Sequence, residues 1–128
     1  AAYGQSLEEA FENAAAAMFE GMTELDKIKP QIEERVEVEG YDKQALLYNW
    51  LEVLLLKFET ENNLYSRFKI APIEKTSAGL KLRAQIKGEQ FDRNRHLSKV
   101  GVKAITYHQM EITENKKDGV TVKFILDI

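Results

Sequence analysis

The sequence predicts an α+β domain: two amphipathic helices packed on a mixed, largely antiparallel β-sheet. Three observations carry that prediction. Ser6-Leu7-Glu8-Glu9 opens a run of apolar residues at three- and four-residue spacing, the pattern of a capped amphipathic helix. A second stripe of leucines around Trp50 repeats the period. The C-terminal part alternates instead, in two runs joined by Asn115-Lys116-Lys117-Asp118-Gly119, whose Asp-Gly step is a strong hairpin signal.

A chain of 128 residues suits one domain over 1–128, long enough to bury roughly two thirds of its unfolded surface. It opens on Ala1-Ala2-Tyr3-Gly4 without a methionine and meets a helix signal at once, as expected of a first strand cut short. The Ser6 hydroxyl and the Glu9 carboxylate can satisfy exposed donors at the helix start. Leu7, Phe11, Ala14, Met18 and Met22, joined by Ala15 and Phe19, then form a core-facing stripe of about four turns, ended by Gly21 and the polar stretch to Pro30. Glu34 to Glu39 alternates around Val36 and Val38, a short half-exposed strand closed by Gly40.

Asp42 can cap the second helix. Leu46, Leu47, Trp50, Leu51, Leu54, Leu55 and Phe58 make that helix the most apolar element, with Trp50 read as packing rather than as a ligand platform. Glu61-Asn62-Asn63 marks a turn. Leu64 to Ile70 and Leu80 to Ile86 read as strands, with Ser77-Ala78-Gly79 as a hairpin connection before the second. Arg67, Lys69, Lys81, Arg83 and Lys87 on these strands read as a solvated outer face.

The 18 basic and 21 acidic residues give a net charge of −3. That argues against gripping nucleic acid by bulk electrostatics, while leaving room for a local basic patch. Without cysteine there is no disulfide framework, thiolate nucleophile or cysteine-ligated metal. The apolar runs are too short to span a bilayer and no leader is evident, so a soluble cytoplasmic protein with no membrane partner is expected.

The chemistry concentrates near the C-terminus. Val102-Lys103-Ala104-Ile105-Thr106-Tyr107-His108 sets a cation, a hydroxyl, a phenol and an imidazole into a strand, where polar groups need partners. Alternation places Val102, Ala104, Thr106, His108 and Met110 on one face and Lys103, Ile105, Tyr107 and Gln109 on the other. Neither face is cleanly apolar, so both are covered or a bulge re-aims one side chain. The last strand sets Val120, Val122, Phe124, Leu126 and Ile128 inward. Asp127, on its other face, can pair with Lys103, bind a hard cation through oxygen or stand exposed. Gly88 to His96 lacks a helical or strand period and reads as a solvated loop, in which Arg93, Arg95 and His96 can meet phosphate or a partner's acids.

Taken together, three segments resemble the archease family, which activates the GTP-dependent tRNA-splicing ligase. They are Tyr3-Gly4 leading into Ser6-Leu7-Glu8-Glu9-Ala10-Phe11-Glu12; Arg95-His96 followed by Val102-Lys103-Ala104-Ile105-Thr106-Tyr107-His108; and the closing Asp127-Ile128. The similarity extends over essentially the whole chain. It implies an archease-like fold and a non-enzymatic activator that promotes guanylylation and repeated turnover of the tRNA-splicing RNA ligase, with a divalent metal ion (calcium, magnesium or manganese) and tRNA engaged through the ligase. The family's metal site joins an aspartate of an N-terminal His-Thr-Ala-Asp type motif, which this sequence lacks, to an aspartate that matches Asp127, with Ile128 adding an oxygen. The family lysine matches Lys103. Arg95 and His96 are then contacts to phosphate or partner, and Thr106, Tyr107 and His108 orient the site from the next layer.

Two other classes compete with this reading. A metal-dependent hydrolase would use Asp127 with His96 or His108, but the sequence has no nucleophile elbow, no paired histidines at ligand spacing and no glycine-rich phosphate loop. A chaperone-like modulator of an RNA-modifying enzyme, such as a tRNA methyltransferase, is the alternative within RNA metabolism.

Overall fold

A computed structural model describes residues 1–96 and 104–127, and for strand residues 104, 106–109 and 127 the description is confined to the backbone. The elements run β1 (Ala2–Gly4), α1 (Leu7–Met22), a 3-10 turn (Leu25–Lys27), β2 (Ile32–Gly40), α2 (Lys43–Glu61), β3 (Asn63–Ile70), β4 (Glu74–Thr76), β5 (Gly79–Gln90), β6 (Ala104–Asn115) and β7 (Gly119–Asp127). The α+β class holds, and the sheet divides in two. One sheet has three strands in the order β1-β7-β6. The other has the order β2-β5-β3, with β4 also on β5. Every described strand pair is antiparallel.

Both helices start where the polar signals put them. Glu9 donates its backbone N–H to Ser6 Oγ at 3.1 Å, and the Glu9 carboxylate accepts the Gln5 N–H at 3.1 Å. The capping box therefore reaches one residue further back than its usual form. Asp42 Oδ1 accepts the Ala45 N–H at 2.8 Å. α2 runs to Glu61 and closes on Asn62 in the left-handed region (φ 60°), so the expected turn after Thr60 shrinks to one residue before β3 begins at Asn63.

Each helix packs on strands of both sheets, α1 on β1, β7 and β3, α2 on β2, β3, β5 and β6. The shared core holds Phe11, Met18, Phe19, Leu46, Leu47, Trp50, Leu51 and Leu54, all fully buried. Trp50 is a packing residue, as its stripe implied. Its indole N–H donates to the Phe11 carbonyl at 3.0 Å, which satisfies the ring's polar atom inside the core and ties the helices together. α1 also serves the free edge of β3. Glu12 accepts the Ile70 N–H at 2.7 Å and Glu8 the Ile73 N–H at 2.8 Å, so two helix carboxylates take backbone donors that no strand pairs.

The strands around β5 are longer than the alternation suggested. β2 extends beyond Glu34–Glu39 on both sides, in unbroken register from Ile32 opposite Gly88 to Gly40 opposite Leu80. β5 continues through Gly88, Glu89 and Gln90, which corrects the reading of that segment as loop. Gly88 explains both the extension and the misreading. A Cβ there would sit 1.8 Å from the Leu64 carbonyl oxygen, so β3 can approach β5 only over a glycine, a residue that sequence reading takes as a breaker.

Candidate functional site

The two strands singled out by their polar content do pair. β7 is the central strand of its sheet, between β1 and β6, and Ala104 stands opposite Asp127, Ile105 opposite Leu126 and Thr106 opposite Ile125. The hairpin turns over Lys116, Lys117 and Asp118. Asn115 pairs with Gly119, whose φ of 85° is the left-handed conformation that glycine takes at least cost.

The ladder then loses step. From Thr106 to Glu111 on β6, the partner advances only from Ile125 to Lys123 on β7, so β6 carries extra residues across this stretch. Ile105 and Met110 are both buried, at 5% and 9% exposure, although an odd separation would put them on opposite faces of a regular strand. The register shift reconciles them. On β7 four of the five expected inward residues are seen, with Val120 and Val122 buried and Phe124 and Leu126 packed against the core, and the fifth, Ile128, lies outside the described residues.

Lys103 and Ile128 lie outside the described residues, and Thr106, Tyr107, His108 and Asp127 are fixed here by backbone alone. The structure thus brings Ala104, Ile105 and Thr106 of the motif to the end of β7, with Ala104 opposite the C-terminal aspartate in the ladder. Among the described residues no group of three or more His, Cys, Asp or Glu can hold a metal ion.

Arg95 and His96 are fully placed, and they correct the solvated-loop reading. His96 is only 2% exposed. Its Nδ1 accepts the Asp92 backbone N–H at 2.8 Å, so the ring proton sits on Nε2, which donates to Glu89 Oε2 at 2.9 Å. Phe91 stacks on the imidazole at 5.8 Å between centroids. Both ring nitrogens are used within the loop. No lone pair remains for a cation, which removes His96 from the hydrolase reading. Arg95 is half-exposed and pairs with the other Glu89 oxygen, Oε1.

Glu89 is the residue that sequence reasoning missed. Its side chain is 6% exposed, and besides Arg95 and His96 it accepts the Lys29 backbone N–H at 2.7 Å. Burial pushes the Glu89 carboxyl up, but the Lys29, His96 and Arg95 donors outweigh that and hold it below the ordinary carboxylate value. One buried carboxylate thereby ties the end of β5 to the 3-10 turn region and to the loop that leads toward Lys103. A lone acid six and seven residues ahead of an Arg-His pair was the available signal, hidden by the assignment of Glu89 to loop. Beside the cluster, Gln31, Asn62, Gln90, Arg93 and Arg95 line an open polar hollow.

Comparison with known proteins agrees with this architecture. A sequence model of the archease protein family matches residues 1–128. The protein archease of Sulfurisphaera tokodaii is 45% identical over 127 residues, covering 99% of this chain and 88% of the relative. That of Pyrococcus abyssi is 46% identical over 117 residues, 91% of this chain and 81% of the relative. The solution structure of Methanobacterium thermoautotrophicum protein 1598 superposes with a TM-score of 0.82 at 42% identity, over 98% of this chain and 88% of that one.

Proposed function

Because the chain belongs to the archease family, we propose that it is a non-enzymatic cofactor of the GTP-dependent tRNA-splicing RNA ligase, promoting the ligase's guanylylation and its repeated turnover. The observation that carries this reading is the pairing of Ala104 with Asp127. It joins the most specific sequence motif to the C-terminal carboxylate in one ladder.

Moving a GMP group onto the ligase develops charge on phosphate oxygens, and fixed counter-charges lower that barrier. A bound divalent cation would supply such a charge. In this chain the Asp127 carboxylate and an Ile128 oxygen are its donors. Lys103 offers a point cation to phosphate or to an acid of the ligase. Thr106, Tyr107 and His108 support these groups from the same strand. Arg95 and His96, bound to Glu89, hold the loop before Lys103 in place, with the exposed edge of the Arg95 guanidinium available to a partner.

The test is a ligation time course with limiting amounts of this protein, GTP and a divalent metal, following guanylylated ligase and joined RNA. Acceleration beyond one turnover per ligase is the expected result. A rate unchanged by the whole protein would refute the cofactor role and favour a methyltransferase-type partner.

A further inference from the structure

We infer that the outer face of the four-stranded sheet binds the phosphate backbone of single-stranded RNA. The register builds a basic field there. Arg35 lies opposite Gln85 and Gln85 opposite Lys69, while Lys87 stands opposite Arg67. Arg35, Arg67, Lys69 and Lys87 are all exposed, and among the described residues none of the four joins an ion pair. Of the acids on this face, Glu37 and Glu74 pair with other cations, and Glu33 is the one beside the field. Glu37 pairs with Lys81 at 2.7 Å and with Arg83 at 3.4 Å, Glu74 pairs with Arg83 at 3.5 Å, and Glu33, though opposite Lys87 in register, forms no ion pair with it.

Like charges directly opposite on a sheet are unfavourable, and Arg67 faces Lys87, whose other neighbour, Glu33, offsets only part of the field. A hollow lies beside it, lined by Arg35, Lys69 and Gln85 and by the paired Arg83 and Glu37. On a chain of net charge −3, four exposed cations on one face against a single neighbouring acid are a local device rather than a bulk property. The outward positions 33, 35, 67, 69, 83, 85 and 87 carry no aromatic residue, so there is no base-stacking platform. Binding is electrostatic and indifferent to sequence. The choice of RNA over an acidic protein rests on the ligase reading above.

The test needs no ligase, so its failure leaves that reading standing. A fluorescein-labelled oligouridylate is titrated with the protein at a series of salt concentrations, by anisotropy. Four phosphate contacts on a single strand give a log–log salt slope of about −3. The double variant Arg67→Gln with Lys69→Gln should halve the slope, to about −1.5, and weaken binding at least about tenfold at low salt. A hairpin control, Lys116→Gln with Lys117→Gln, should change neither, and circular dichroism verifies that both variants fold. No binding by the parent protein, or a slope unmoved by Arg67→Gln with Lys69→Gln, overturns the inference. So does displacement of the RNA by poly-glutamate as effective as by unlabelled oligouridylate, which would assign the face to an acidic protein.

Discussion

The two sheets share one core and obey different rules. In the four-stranded sheet the β2–β5 ladder keeps a single register over its whole length, the β3–β5 ladder shifts once, between Tyr65 and Arg67, inward positions Leu82, Ala84 and Ile86 are buried, and the charged residues alternate onto the open face. In the three-stranded sheet the β6–β7 ladder slips between Thr106 and Glu111, and the archease-like motif runs into that slip, with Ala104 to Thr106 paired before it and Tyr107 and His108 within it. A slipped register costs ladder hydrogen bonds and is kept where a side chain must be re-aimed. The difference is local: the interruption of the β6–β7 ladder falls on the strand that carries the motif, whereas β2 and β5 run together without a break.

The sharpest way to break this comparison is to truncate the two core residues on either side of the slip. Ile105→Ala and Met110→Ala should each cost about 2–5 kcal/mol by urea unfolding, since both are buried. A continuous strand would make one of them nearly neutral. In the regular sheet the equivalent lesion is backbone contact. Gly88→Ala places a Cβ 1.8 Å from the Leu64 carbonyl oxygen and should destabilise by about 1–3 kcal/mol, whereas Gly21→Ala, with nothing within 4 Å, should be neutral or stabilising.

Glu89 links the regular sheet to the loop before Lys103, and Glu89→Gln should cost about 1–3 kcal/mol at neutral pH. The sign of its pH dependence follows from its depressed carboxyl. Its contribution is complete above the ordinary carboxylate value of about 4.3 and is lost as pH falls through the lower folded value. Urea midpoints measured from neutral to acid pH should therefore fall less steeply in Glu89→Gln than in the parent. At the weak end, Glu111 and Lys123 on the outer face of the slipped sheet stand 4.0 Å apart and are mostly exposed, so Glu111→Ala should shift stability by less than about 0.5 kcal/mol.

Elements whose pattern is local were legible in the sequence. Ser6, Asp42 and the apolar stripes of both helices announced themselves, as did the Asp118-Gly119 turn and the inward set on β7. What escaped reading depended on partners distant in the chain. Gly88 looked like the end of a strand because its constraint is the Leu64 carbonyl of β3. Glu89 and His96 looked solvated because their donors and acceptors, from Lys29, Asp92 and each other, converge only in the fold. The pairing of the motif strand with the C-terminal aspartate was expected and is observed, and a bulge was one of two ways foreseen to reconcile its faces. Its span, which brings Ile105 and Met110 into one core, could not be counted from alternation.

The most direct test of the cofactor role compares the whole protein with its Asp127→Ala variant in the ligation time course. The reading requires that the folded variant, with unchanged circular dichroism and urea midpoint, lose stimulation of ligase guanylylation and of joining beyond a single turnover. A folded Asp127→Ala protein that stimulates as well as its parent would contradict it, and would detach the Ala104–Asp127 pairing from the activity.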